Sequence, residues 1–302
     1  MAGPSEKQPL VLVTGLAGFT GPHLIAALEG RGWRVVGLDR RDSIVGTTKI
    51  YACDLLDRLS LIRRVREIAP QAVIHLAGIS DVHHENIGEL YEINIMATRN
   101  LLEALAQLDT RLQAVLLASS ANVYGNTGGR ALDELTPLAP ANDYAVSKLA
   151  MEYMARTFAE KLPITIIRPF NYTGRGQTTR FVVPKIVEHF RQKASVIELG
   201  NLDVTREFSD VRRTVEAYAR LLALPGTCEI YNICSGKGES LRQILSEAEK
   251  ITGHRIEVRV NPAFVRENEV EILIGSCDKL EAAVGVLPRY AIKDTLSWML
   301  EG

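Results

Sequence analysis

Aromatic residues are scarce, at 6% of the 302-residue chain, and there are only four cysteines. Cys53, Cys228, Cys234 and Cys277 form no CxxC pair and are too dispersed for a disulfide framework. That excludes a small cystine-stapled domain and points to reduced thiols in a cytosolic protein. No apolar run reaches the ~20 residues of a membrane-spanning helix. The opening MAGPSEKQP lacks the apolar stretch of a signal peptide, so the expected location is the cytoplasm. Neither charge dominates: 35 Lys and Arg stand against 36 Asp and Glu, for a net −1. The balance argues against a nucleic-acid or membrane-surface partner. Internal repeats and low-complexity tracts are also missing.

What remains is an ordinary globular composition, 46% hydrophobic and 24% charged. The length suits one large α/β unit, or a core with a smaller lobe. Short apolar runs alternate with amphipathic stretches through the first half. Strands are expected at 10–13, 34–38, 49–52, 72–75, 114–118 and 164–167. Helices are expected at 19–30, 59–68, 88–108 and 143–161. Continuous apolar strands alternating with helices predict a doubly wound parallel sheet of Rossmann type, covered on both faces. The rhythm breaks after Arg168-Pro169, where 171–177 reads as a turn-rich loop. The expected division is therefore a dinucleotide-binding core over 1–170 with 205–235 returning to it. A smaller substrate-binding lobe follows from 171–204 and 236–302.

Between the first strand and first helix lies Thr14-Gly15-Leu16-Ala17-Gly18-Phe19-Thr20-Gly21. One glycine allows the tight turn, the next lets a pyrophosphate approach the backbone, and the third lets helix and strand pack closely. The helix start then offers N–H groups to phosphate. Asp39 ends the second strand about 20 residues on, where a carboxylate can accept from a ribose 2′-hydroxyl, favouring NAD. Arg40 and Arg41 follow and could instead hold a 2′-phosphate, which leaves NADP open. Asp54, after the third strand, either accepts from an adenine amino group or caps the 55–57 turn.

Tyr144 and Lys148 stand at i and i+4 on one helix face. A phenol titrating near ~10 exchanges protons poorly at neutral pH, and an adjacent ammonium favours its ionised form. Ser119-Ser120-Ala121-Asn122-Val123-Tyr124 follows a strand end, where parallel sheets present their ligands. His83 and His84 are adjacent and cannot both face one site on a regular element. No Cys/His/Asp set completes a sphere around them, so no metal is expected.

Taken in order, TGLAGFTG, VIHLAG, SSANVYG, NDYAVSK and RPFN resemble the extended, nucleotide-sugar branch of the short-chain dehydrogenase/reductase superfamily, over nearly the whole chain. The resemblance implies that Tyr144 is the acid/base, Lys148 lowers its pKa and binds the nicotinamide ribose, and Ser120 bonds the reacting oxygen, with Ser119 the alternative. It implies an NAD(H) or NADP(H) site at Gly15, Ala17, Gly18, Phe19, Thr20, Gly21, Asp39, Arg40, Asp54, Leu55, Leu76, Ala77 and Gly78, with Tyr144 and Lys148. Where 4,6-dehydratases of the superfamily carry acids, this chain has Ala121 and Asn122, which argues against dehydration.

In the second half, RPFNYTG, GNLD, REFSDV, YNICSG and ENEVEILIGS resemble GDP-4-keto-6-deoxy-D-mannose reductases, a group that yields GDP-D-rhamnose. That resemblance implies a nucleotide-sugar partner, GDP-linked by preference, with C4-keto reduction as the activity. The implied substrate contacts are Ser80, Ser120, Asn122, Asn171, Val183, Lys185, Leu199, Asn201, Arg206, Arg266 and Glu269. Arginine's planar fork suits it to a diphosphate. Asn94 reads as a structural residue bonding backbone near the active site. Two departures stand out: Asn122 replaces a frequent acid, and Arg175 a proline, adding either a phosphate contact or a solvated charge. A nucleotide-sugar 4-epimerase sharing the triad, and a non-catalytic dinucleotide sensor, remain the competing readings. By analogy of fold, the helices over 88–108 and 143–161 predict a homodimer.

Overall fold

The structure is a computed structural model and describes residues 8–82, 84–126, 131–226, 228–264 and 272–301. The chain divides into two compact units. The first comprises Met1–Ser119, Asn142–Ile167 and Tyr218–Tyr231, and the second Ser120–Ala141, Arg168–Ala217 and Asn232–Gly302. The second unit thus begins at Ser120, earlier than the border at 171 expected from sequence. The stretch after Ser120 bonds to its own unit, through Leu132 N–H to the Ile274 carbonyl and Ala139 N–H to that of Val123.

The first unit is built on β1 (Leu10–Thr14), α1 (Thr20–Glu29), β2 (Arg34–Asp39), β3 (Ser43–Val45), β4 (Thr48–Ala52), α2 (Arg58–Ile68) and β5 (Ala72–His75). Then come α3 (Ile87–Tyr91), a π-helical turn at Glu92–Ala97, α4 (Thr98–Leu105), β6 (Ala114–Ala118), α5 (Asp143–Arg156) and β7 (Ile164–Pro169). Ile230–Ile233 joins the same sheet, whose order is Ile230–Ile233, β7, β6, β5, β1, β2, β4, β3. β1 pairs in parallel with both β2 and β5, so the strand order reverses at the β1/β5 border. In open α/β sheets that border leaves a ligand crevice at the strands' carboxyl ends. Among the described residues of this sheet, the three-residue β3, which the sequence did not signal, runs antiparallel to its neighbour β4.

Every residue of β1 and β5 is buried, as expected where helices cover both faces. Leu12, Val73, Val115, Leu117 and Ile166 meet Leu61, Val65, Leu101, Leu105, Met151 and Ala155 in one core. Asn142 precedes α5 and caps it, its side chain accepting the Ala145 N–H, and the helix ends at Arg156 rather than near 161. Successive turns carry the chain from there to Leu162 and Pro163.

The second unit holds small sheets and helices around its own core. Val183, Ile186, Val187 and Phe190 of the helix Val182–Arg191 pack with Ile244, Leu245 and Ala248 of Leu241–Thr252. Leu296 and Met299 of Ile292–Leu300 complete the cluster. The strand Thr205–Glu207 lies between Gly238–Ser240 and Ile272–Leu273.

Candidate active site

At the strand-order reversal the turn after β1 has the shape its glycines suggest. Gly15 has φ +71°, and its N–H donates to the Leu38 carbonyl at 2.9 Å. A Cβ there would stand 2.7 Å from the Ala77 nitrogen, so the turn and the end of β5 approach closer than any side chain permits. Gly21 is tighter still: a Cβ would reach 1.7 Å from the Leu16 carbonyl oxygen. Gly18 is exposed, and its Cβ would meet only the Gly15 oxygen, at 3.3 Å. α1 begins without a side-chain cap or an acid in its first turn, after Phe19 and with Thr20 buried. Bare backbone at a helix start, beside an exposed glycine, fits a dinucleotide's pyrophosphate.

Asp39 is fixed beside this turn. Its Oδ2 accepts the Ala17 N–H at 3.2 Å and its Oδ1 the Arg40 N–H at 2.8 Å. Each oxygen retains a lone pair for a ribose hydroxyl. Arg40 and Arg41 extend into solvent. Asp54 accepts the Leu56 N–H at 2.9 Å, the capping alternative of the sequence reading, while Asn100 donates to the Leu55 carbonyl at 3.0 Å.

The end of β5 carries a buried polar chain. The Thr98 hydroxyl donates to the Asn94 carbonyl at 2.9 Å, so its oxygen must accept from His75 Nε2 at 2.8 Å. His75 Nδ1 then accepts the Thr14 hydroxyl at 2.6 Å, and Thr14 Oγ1 accepts the Ala77 N–H at 3.3 Å. This fixes the neutral Nε2–H tautomer. Complete burial, with the Lys148 charge adding to it, pulls His75 down to about 3.

Asn94 sits on the π-helical turn, a distortion that often marks functional positions. Its Oδ1 accepts the Ile79 N–H at 2.8 Å, and its Nδ2 donates to the Ile79 carbonyl and to Ser147 Oγ at 3.1 and 2.9 Å. Ser147 in turn donates to the Tyr144 carbonyl at 2.8 Å. A Cβ on Gly78 would fall 2.9 Å from Asn94 Oδ1 and 3.3 Å from Lys148 Nζ, so Gly78, Asn94 and Lys148 converge. Leu76 and Ala77 are half-buried beside Gly78, and Ser80 is exposed.

Tyr144 and Lys148 are each only 7% exposed. The lysine donates to the Ala118 carbonyl at 3.0 Å. Burial pulls its ammonium from 10.5 to about 8, with the Glu152 carboxylate opposing the shift. The amine stays mainly protonated at neutral pH. Ser119 donates to Glu152 at 2.5 Å, which commits that hydroxyl elsewhere. In the second unit, Ser120 begins a short 3₁₀ turn, and its Oγ accepts from the Asn122 backbone N–H at 3.2 Å and from Asn122 Nδ2 at 3.1 Å.

The expected substrate residues of the second unit are spread over several elements. Asn171 is half-buried, and its carbonyl accepts the Ser209 N–H at 2.9 Å. Val183 and Leu199 turn their side chains into the core, leaving their backbone for any contact. Lys185 donates to the Glu198 carbonyl at 2.7 Å and lies 4.6 Å from the Phe264 ring centroid. Asn201 accepts the Asp203 N–H at 3.1 Å, and Arg206, 9% exposed, donates to the Thr205 carbonyl at 3.3 Å. Arg266, Glu269 and His83 lie outside the described residues; His84 pairs with Glu89 at 3.0 Å. Arg175 bonds the Trp298 carbonyl, stacks on the Trp298 ring at 5.2 Å and pairs with Glu301 at 3.2 Å, anchoring the last helix.

His75, Thr98 and Glu152 went unnoticed in the sequence. Glu152 had a signal, since it continues the i+4 series from Tyr144 through Lys148. Among the described residues no group of three or more His, Cys, Asp or Glu could hold a metal ion. No described helix is long and apolar enough to cross a membrane.

Residues 11–234 match the NAD dependent epimerase/dehydratase family, and the chain belongs to it. It is therefore an NAD(P)-dependent enzyme of the oxidoreductase kind, with the Rossmann-type fold of the extended short-chain dehydrogenases/reductases. Among particular proteins, it is 34% identical to a GDP-6-deoxy-D-talose 4-dehydrogenase of Aggregatibacter actinomycetemcomitans, over 91% of each chain. It is also 34% identical to a GDP-6-deoxy-D-mannose reductase of Pseudomonas aeruginosa, over 96% of this chain and 95% of that one. A solved structure of RMD from Pseudomonas aeruginosa complexed with NADPH superposes with a TM-score of 0.84 at 31% identity. It covers 99% of this chain and 98% of that one.

Proposed function

We propose that this enzyme works on nucleotide-linked sugars and reduces the C4 ketone of GDP-4-keto-6-deoxy-D-mannose, giving GDP-D-rhamnose. The observation that carries the reading is the environment of Ser120. Two N–H groups of Asn122 already donate to its Oγ, so the hydroxyl's own proton is left to donate outward. A group that donates suits a ketone oxygen gaining negative charge. Ala121 and Asn122 offer no acid or base for eliminating water, and both relatives named above are GDP-sugar enzymes.

A bound nicotinamide would supply the hydride. The residues that would hold the dinucleotide are Gly15, Ala17, Gly18, Phe19, Thr20 and Gly21 with Asp39 and Arg40, then Asp54 and Leu55, and Leu76, Ala77 and Gly78. The pinned Asp39 carboxylate favours a ribose hydroxyl over a 2′-phosphate, hence NADH. Tyr144 gives its phenolic proton to the new alkoxide, and the Lys148 ammonium makes that proton easier to release. Ser147 and Asn94 hold the turn of α5 that carries the tyrosine. The second unit would provide the nucleotide-sugar contacts, through Asn171, Lys185, Asn201 and Arg206 with Arg266 and Glu269.

The enzyme would work in the cytoplasm as a homodimer. Ile87, Met96, Val146 and Tyr153, exposed on the helical stretch 87–105 and on α5, supply an apolar face for a second copy.

Purified enzyme with NADH and GDP-4-keto-6-deoxymannose should consume the cofactor stoichiometrically, and Tyr144→Phe should slow turnover by about 10²–10⁴. An unreduced ketosugar, under conditions where a known reductase turns it over, refutes the proposal. Cofactor that co-purifies and never exchanges would indicate the 4-epimerase instead.

A further inference from the structure

The short turn that carries Ser120 ends on a buried side chain that the proposed chemistry does not use. The 3₁₀ turn Ala121–Tyr124 is capped by Ser120 at one end and closed by Tyr124 at the other. Tyr124 and Asn232 are fully buried and Arg168 is 1% exposed, all within the second unit. A guanidinium only donates, so Arg168 Nη1 donates to the Tyr124 hydroxyl at 3.0 Å. The phenolic proton is thereby directed to Asn232 Oδ1, at 2.7 Å. Asn232 Nδ2 is left to donate to the Leu132 carbonyl at 2.9 Å, and the Asn232 backbone N–H donates to Glu134 at 2.7 Å. One buried cation thus sets the polarity of the whole chain. Burial pushes the phenol's pKa up, against the pull of Arg168, so Tyr124 keeps its proton.

The ring is held as firmly as the hydroxyl. The Arg168 guanidinium carbon lies 5.0 Å from its centroid, and the Phe170 ring stacks on it at 6.2 Å and 30°. Phe170 is itself fixed, its N–H donating to the Ile233 carbonyl at 3.0 Å. Within the turn, the Val123 N–H donates to the Ser120 carbonyl at 3.3 Å and the Gly125 N–H to that of Asn122 at 3.1 Å. Beyond it Gly125 has φ +65°, and a Cβ there would stand 1.8 Å from the Ala139 carbonyl oxygen, so the chain has no room to slip. Taking a guanidinium out of water is unfavourable, and an apolar ring alone would fill the same space. The arrangement makes sense where a nearby donor must be held to within about 0.5 Å.

We infer that Tyr124, anchored by Arg168, Asn232 and Phe170, is the positioning residue that aims the Ser120 hydroxyl. The inference rests on the donor role proposed above for Ser120. Tyr124 acts only through the turn: its fixed ring sets where the four-residue segment ends, and the internal bonds carry that placement back to Ser120.

The test is a double-mutant cycle on the whole chain. Tyr124→Phe keeps the ring and removes the hydroxyl; kcat should fall about tenfold or more, with the sugar-nucleotide KM held within about twofold. Ser120→Ala alone should lower kcat by about 10²-fold. On the Ser120→Ala background, Tyr124→Phe should change kcat by less than about twofold, because no hydroxyl remains to be aimed. A role in stability alone would give the same loss on both backgrounds. That result, or an unchanged kcat in the single variant, overturns the inference. Should Tyr124→Phe fail to fold, Phe170→Leu removes the stacked ring and keeps the hydrogen bonds. It should lower kcat about threefold with Ser120 present and leave kcat unmoved in its absence, and any other pattern counts against the inference. Hydrogen exchange over residues 120–125, read without substrate, should quicken about tenfold in Tyr124→Phe, and unchanged exchange overturns the inference whatever the substrate. Wild-type enzyme that leaves the ketosugar unreduced refutes the proposed function instead, and the exchange measurement then decides the positioning by itself.

Discussion

Replacing Lys148 with methionine should disable the enzyme and make it more stable at neutral pH. The ammonium is buried at 7% exposure, and its pKa falls from 10.5 to about 8. At about 1.4 kcal/mol per unit, keeping that charge inside the fold costs about 3 kcal/mol. Methionine removes this cost and gives up the bond to the Ala118 carbonyl, a net loss of about 1 kcal/mol. The variant should therefore gain about 2 kcal/mol at pH 7. The sign follows from proton binding. Below 8 the amine is charged both folded and unfolded, and the cost is present in full. Between 8 and 10.5 only the unfolded chain holds the proton, so wild-type stability rises with pH. Urea unfolding of both proteins at pH 7.0 and 9.5 should show the gap shrinking by about 2 kcal/mol. A variant less stable than wild type at pH 7, or a gap unchanged by pH, would refute the reasoning. The expected trade of stability for activity is common at functional sites.

His75 contributes with the same sign of slope, in a lower pH window. Its pKa drops from 6.5 to about 3 in the fold, so its contribution is full above 6.5 and is lost on acidification. Between pH 7 and 5 wild type should lose about 2 kcal/mol that His75→Gln does not lose, and equal acid sensitivity in urea titrations would contradict this. Gly21→Ala should fail to fold, since its Cβ would strike the Leu16 carbonyl oxygen. Gly18→Ala should fold normally, as its only close contact is at 3.3 Å, but bind NADH at least tenfold more weakly by calorimetry. Arg175→Pro should lower the melting temperature by a few degrees through loss of the bond and stacking to Trp298, and leave the sugar-nucleotide KM unchanged. A tenfold rise in KM would return Arg175 to the substrate.

The sheet and the glycine turn were readable in advance because they depend on local chemistry. Runs such as Leu10–Thr14 and Ala114–Ala118 have one stable use, burial between two helical layers. The turn after β1 needs glycine at positions 15 and 21, where a Cβ would strike backbone. The polar chain through Thr14, His75, Thr98 and Asn94 was not readable. His75 sits in an apolar strand, and its partners are 61 and 23 residues away, a separation that leaves no pattern. Ser43–Val45 is too short for a period to show. Arg175 carried a visible charge, but its partner is 123 residues away on the last helix, and only the folded chain supplies that pairing.

The π-helical turn at Glu92–Ala97 has a consequence for insertions and deletions. Such a turn holds one surplus residue relative to the α-helices on either side. Deleting a single residue within it would restore uniform winding and leave the helices upstream and downstream on the faces they already present. What would go is the widened backbone that carries Asn94 to Ile79 and Ser147. A one-residue deletion here should therefore be tolerated by the fold and felt at the site, whereas the same deletion in the uniform winding of α4 would turn one end of that helix by about 100° against the other.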